Sequence, residues 1–164
     1  MDLYPWIVLL HIVGAFLFVI AHGASIWAVN AIRRESQPAR IAALTDVSSM
    51  SLGAAYIGLL LILVGGIWAG IYGSWFSKAW IWVALVVFIA IAVAMYAIAT
   101  PYFKRLRIAL GQRTQGQAKD APDPVPAPDA DIAAIAASAP AGVLDAVGFV
   151  GLVVILWLMV VKPF

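Results

Sequence analysis

The stretch LLHIVGAFLFVIAHGAS, Leu9 to Ser25, holds both histidines of the chain, His11 and His22, inside an otherwise apolar run. An imidazole titrates near neutral pH, ligates metals through either ring nitrogen, and donates or accepts hydrogen bonds. The two are eleven residues apart. On a helix of 3.6 residues per turn that is about three turns, so both rings project from nearly one face, roughly 16 Å apart along the axis. Gly14, Ala15, Phe18 and Ser25 share that face, and Leu9, Val13, Phe16, Ile20 and Trp27 fall opposite. The segment has a small, polar seam and a bulky apolar back, and the histidines are expected to face protein, not lipid.

Two chemistries stay open for that seam. In one, each imidazole is neutral and hydrogen-bonded to a neighbouring carbonyl or hydroxyl, fastening helix to helix. In the other, the imidazoles hold a metal, b-type haem first and copper second, since neutral imidazole suits both. Further ligands are then needed, and two methionines lie at matching depths: Met159 with His11, and Met95 with His22. A His/Met pair is a reasonable axial set for a b-type haem, whereas filling gaps in the core is the commoner work of methionine. One bis-histidine haem within a single chain is unfavourable, because same-face residues three turns apart cannot grip one iron from opposite sides. Pairs across the axis of a homodimer stay open. Asp46 and Asp145 read as caps near helix N-termini, and Asn30 as an interfacial polar residue. No Walker loop, HExxH or GxSxG occurs, and nothing in the residues demands enzymatic chemistry; a quinone or porphyrin in the seam is the route by which it would arise.

The elements that position these residues follow from composition. Of 164 residues, 65% are hydrophobic and 11% charged, with a mean hydropathy of +1.02. A water-soluble domain carries about 25% charged residues, so the solvent here is expected to be lipid. Four apolar runs reach the roughly 20 residues that cross a bilayer: Trp6 to Ile32, Ser48 to Tyr72, Ala79 to Phe103 and Leu144 to Val161. Unbroken runs of this length read as helices, not as the alternating strands of a barrel. The expected fold is an all-α, integral membrane four-helix bundle. Residues 1–111 supply three spans with short loops, 112–131 a disordered cytoplasmic linker rich in Pro, Ala, Asp and Gln, and 132–164 a short interfacial helix and the last span. Pro140 and Gly142 should break that interfacial helix, and Pro101 should end or kink the third span. In the second span Ser51, Ala54, Ala55, Gly58, Gly65 and Ala69 form a small-residue face, and GIWAG, Gly66 to Gly70, is a small-xxx-small pattern.

A net charge of +2 and a pI near 9.1 carry no nucleic-acid signal, because eight of the ten Lys/Arg sit in two loops. These are Arg33, Arg34 and Arg40 in the first connection, and Lys104, Arg105, Arg107, Arg113 and Lys119 in the third. Excess Lys/Arg marks cytoplasmic loops, which places both termini on the periplasmic side. Tyr4, Trp6, Tyr72, Trp75, Trp80 and Trp82 gather at the opposite boundary as an aromatic belt. The MDLYPW start lacks the basic region of a secretory signal, so the first segment reads as a retained span. With no cysteine, disulfides and thiolate metal sites are excluded.

The segments PWIVLLHIVGAFLFVIAHGAS, IRRE, YIGLLLILVGGIWAG and MYAIATPYFKRLR together resemble an uncharacterised family of bacterial four-span integral-membrane proteins. That family in turn resembles the copper-resistance D-like superfamily, whose first span commonly carries an L-H-x-x-G/A motif, matched here by Leu10, His11 and Gly14. The resemblance covers about the first 110 residues. It implies an inner-membrane location, with copper import or haem and porphyrin chemistry as the wider superfamily's functions, and it carries over to His11 alone. The leading expectation is haem binding for electron transfer. The alternative is a cofactor-free accessory or assembly subunit, in a homo-oligomer or a larger membrane complex.

Overall fold

The computed structural model describes residues 2–114, 116–118 and 120–164, and among these it contains helices and no strand. Lys119, counted above among the basic residues of the third connection, lies outside them. The helices are α1 (Tyr4–Ile32), α2 (Pro38–Tyr72), a single 3-10 turn (Trp75–Ser77), α3 (Ala79–Ala109), α4 (Asp129–Ala137) and α5 (Ala141–Val161). Four are long and apolar enough to cross a membrane: α1, α2, α3, and α5 taken together with α4. Most of their surface lies outside the protein interior, with Phe16, Ile20, Trp27, Met50 and Val86 all more than half exposed. Such a surface suits acyl chains or an apolar partner, since in water apolar patches of this extent would drive association.

Local chemistry explains the boundaries. Proline near the first helical turn starts α1 and α2, where its missing N–H deprives no helical bond. Between them the Glu35 carboxylate accepts the backbone N–H of Ser36 at 2.9 Å and of Gln37 at 3.0 Å, and Arg40 pairs with it at 3.7 Å. These two amides, aided by Arg40, hold the Glu35 carboxyl below the usual carboxylate range. Ser74, at φ 54°, reverses the chain after α2.

The helices pack as two antiparallel hairpins, α1 with α2 and α3 with α5. The first is unusually close. A Cβ added to Gly58 would lie 2.6 Å from the backbone nitrogen of Phe18, and one on Gly65 would lie 2.9 Å from that of His11. Gly14 likewise has no room for a side chain beneath Leu61 and Ile62. Gly14, Gly58 and Gly65 are therefore consumed in backbone-to-backbone contact, the packing that small-xxx-small faces permit. The expected lipid-facing stripe of α1 is present: Leu9, Val13, Phe16, Ile20 and Trp27 are all exposed.

The hairpins join at both ends. At one end Val29, Ile32, Ile41, Tyr102, Leu106, Ile132, Ala136 and Leu144 form a buried cluster contributed by all five helices. At the other, Trp75 donates its indole N–H to Tyr4 (3.3 Å) and packs edge-on against Trp80, whose backbone N–H reaches the Phe164 carbonyl. Both chain termini are at this aromatic end, and the two basic connections are at the other.

Several expectations are corrected. The helix of α2 begins at Pro38, ten residues before the apolar run, and α3 continues through Pro101 to Ala109. At roughly 1.5 Å per residue, α2 is about 50 Å long, more than a hydrocarbon core of about 30 Å requires. Hydropathy sees only the part in lipid. The short helix expected at the interface is α4; it ends before Pro140, Gly142 lies inside α5, and Ile132 and Ala136 are buried in the cluster. Trp80 is 5% exposed and plugs the bundle end, unlike the half-exposed Trp6 and Trp82. Apart from these corrections, among the described residues of the connection after α3, Ala127 donates to the Ala109 carbonyl, and Arg113 pairs with Asp123 at 3.4 Å.

Candidate functional site

Among the described residues no three His, Asp or Glu side chains come together as a metal cluster. The candidate site is therefore assembled from the two imidazoles and what each touches. His11 lies on α1 against α2. Its Nδ1 is 2.8 Å from the carbonyl oxygen of Ile62. A carbonyl only accepts, so Nδ1 carries the proton and, in the neutral ring, Nε2 carries the lone pair. The ring edge lies 3.0 Å from where a Cβ on Gly66 would stand. Gly65 admits the His11 backbone and Gly66 admits its ring.

His22 addresses a different neighbour. It stacks on Phe18, ring centroids 5.4 Å apart and planes within 8°, and its Nε2 lies 3.3 Å from where a Cβ on Gly148 of α5 would stand. The expected single stripe is thus split, His11 to α2 and His22 to α5. Packed helices cross, so one straight stripe meets different neighbours at different depths.

The methionines are half-buried. Met95, on α3, packs against the buried cluster, and Met159 follows the buried Leu158 on α5. Register gives their depth. Ile91 fills the space over Gly151, so in the antiparallel α3–α5 pair Met95 lies level with Val147 and Gly148, and hence with His22. By residue count alone, Met159 follows Gly148 by eleven residues, as His22 follows His11.

Two polar contacts were missed by the sequence reading. Asn30 Nδ2 donates to both carboxylate oxygens of Asp145 and to the Ile26 carbonyl, each at 3.1 Å, joining α1 to α5. Asp46 lies 3.8 Å from Arg107, which also donates to Ser49, joining α2 to α3. Neither aspartate is a cap: both sit past the first helical turn and bind across helices. The signal available was Asn30 itself, eight residues beyond His22 in a run with little other polar chemistry. Ser25 and Ser48 share a hydrogen bond of 2.7 Å across α1 and α2. Open depressions of about 320 and 330 Å³ lie at the two ends of the bundle, and no histidine lines either.

This arrangement defines an all-helical integral membrane protein of four spans, whose polar side chains bridge neighbouring helices. The chain belongs to the family described as "Predicted integral membrane protein (DUF2269)", whose model matches residues 5–163. No curated protein and no solved structure matches it.

Proposed function

We propose that the chain is an accessory or assembly subunit of the bacterial inner membrane, with both termini periplasmic, whose imidazoles fasten helices together. The observation that carries this reading is the His11 ring, bonded through Nδ1 to the Ile62 carbonyl and seated on Gly66. One ring nitrogen is committed to a helix contact, and the seam around it is closed by backbone packing. A haem needs a flat apolar slot beside its axial ligand, and the α1–α2 contact leaves none. The donor fits a metal; the packing around it does not fit a macrocycle. The orientation follows from the basic residues, which collect at one end while the aromatic residues collect at the other. The remaining exposed faces of the spans are where a second copy or a larger complex would dock.

One observation favours the second reading, a b-type haem or copper bound through His11. Histidines that ligate metals usually donate their other ring N–H to a carbonyl, as His11 does, and by residue count Met159 falls at its depth. His22 and Met95 form the second such level.

An absorption spectrum and metal analysis of the detergent-purified protein, as isolated and after added haemin, separates the two. The accessory reading expects no Soret band and no stoichiometric copper. A Soret band, or bound copper, that disappears in His11→Ala overturns it in favour of the ligand reading.

A further inference from the structure

The aromatic end of the bundle carries an open surface depression unrelated to either histidine. About 330 Å³ in volume, it is lined by Asp2, Tyr4, Tyr72, Gly73 and Trp75. Two phenol rings, one indole and one carboxylate line this single space. The parts are tied together. Asp2 accepts the Tyr4 backbone N–H at 3.0 Å, and the Tyr4 hydroxyl accepts the Trp75 indole N–H at 3.3 Å. Gly73 leaves the space into which the indole folds, since a side chain there would collide with the Trp75 ring.

Aromatic faces carry a negative quadrupole, and a cage of them with a nearby carboxylate is the grouping that receives alkylated ammonium ions. The molecule itself makes this contact once. The Lys162 ammonium lies over the Trp75 ring, 4.0 Å from its centre, and 5.7 Å from the centre of Trp80. Trp75 thus presents an electron-rich face that a cation occupies.

We propose that this depression binds an ammonium group, the shared chemistry of ethanolamine and choline headgroups and of free choline. Tyr4, Tyr72 and Trp75 contact its methyl or methylene groups, and Asp2 offsets its charge. Lys162 opposes a second cation through its own positive charge, and the Asp2 carboxylate balances it.

The test uses the full chain in maltoside micelles, which carry no ammonium, with radiolabelled choline in equilibrium dialysis. A parallel arm measures thermal unfolding after reconstitution with phosphatidylethanolamine, phosphatidylcholine or phosphatidylglycerol. Saturable choline binding supports a site open to free amines. Stabilisation by the two ammonium lipids over phosphatidylglycerol, without choline binding, supports a headgroup site. In either case Asp2→Asn should weaken binding about tenfold and Lys162→Gln should tighten it by a similar factor. Trp75→Leu should weaken it too, and Trp82→Leu, on the neighbouring ring pair, should leave it unchanged. Absence of both choline binding and lipid preference overturns the proposal, as does binding that Asp2→Asn and Lys162→Gln leave untouched.

Discussion

An imidazole that donates Nδ1–H to a carbonyl has one nitrogen left to offer, and the fate of that nitrogen separates a fastener from a ligand. Removal of His11 as a fastener forfeits an interhelical hydrogen bond, which in membranes is worth about 0.6 kcal/mol on average and up to about 1.7. His11→Ala should therefore lower the thermal midpoint in detergent modestly, and His11→Asn, which keeps an N–H donor, should recover part of the loss. Equal loss in both variants would count against the Ile62 bond as the stabilising contact. At Glu35 the expectation concerns pH. Its folded carboxyl titrates below the ordinary range, so the order it confers on the turn is complete above the unfolded value and disappears as pH falls through the folded one. Amide shifts of Ser36 and Gln37 should report a midpoint depressed in this way, and Glu35→Gln should abolish the transition.

At the scale of the element, glycines that look alike in sequence differ sharply. A Cβ on Gly58 would meet the Phe18 backbone, whereas one on Gly23 or Gly53 would meet nothing. Gly58→Ala should force α1 and α2 apart and destabilise by about 1–3 kcal/mol, the range for overpacked cores. Gly23→Ala should be neutral or stabilising by at most about 1 kcal/mol through helix propensity. Chemical unfolding of the two variants in mixed micelles checks the contrast, and equal effects would refute the close α1–α2 packing at Gly58. Much of α1 was legible beforehand: the stripe Leu9, Val13, Phe16, Ile20 and Trp27 follows from a period of 3.6, and the structure exposes all five. The start of α2 was not, because Ile41 and Thr45 are buried by protein in a segment too polar to register as a span. The division of His11 and His22 between two neighbours was equally hidden, since it depends on how helices cross and not on the spacing within one of them.

For the whole molecule, an even number of spans and a charge-segregated pair of ends fix the relation between ends, and labelling tests the side. The absence of native cysteine makes single substitutions clean. A membrane-impermeant maleimide should label Ser77→Cys in intact cells with a permeabilised outer membrane, and Ser36→Cys only once the inner membrane is broken. The reverse pattern would invert the proposed orientation and move the ammonium site to the cytoplasm.

The buried cluster of Ile32, Ile41, Leu106, Ile132, Ala136 and Leu144 closes the end of the bundle that carries the basic connections. Four of these residues, Ile41, Leu106, Ile132 and Ala136, fall outside the four apolar runs, so the cluster should answer to water while the spans answer to fat. One polypeptide is thus governed by two solvents, each with its own denaturant. Urea, acting through the aqueous phase, should melt the cluster first and leave the spans helical, while a harsh short-chain detergent should part the hairpins before it loosens that knot. Ile132→Ala, about 2–5 kcal/mol by analogy with other buried aliphatic truncations, should advance the urea transition alone.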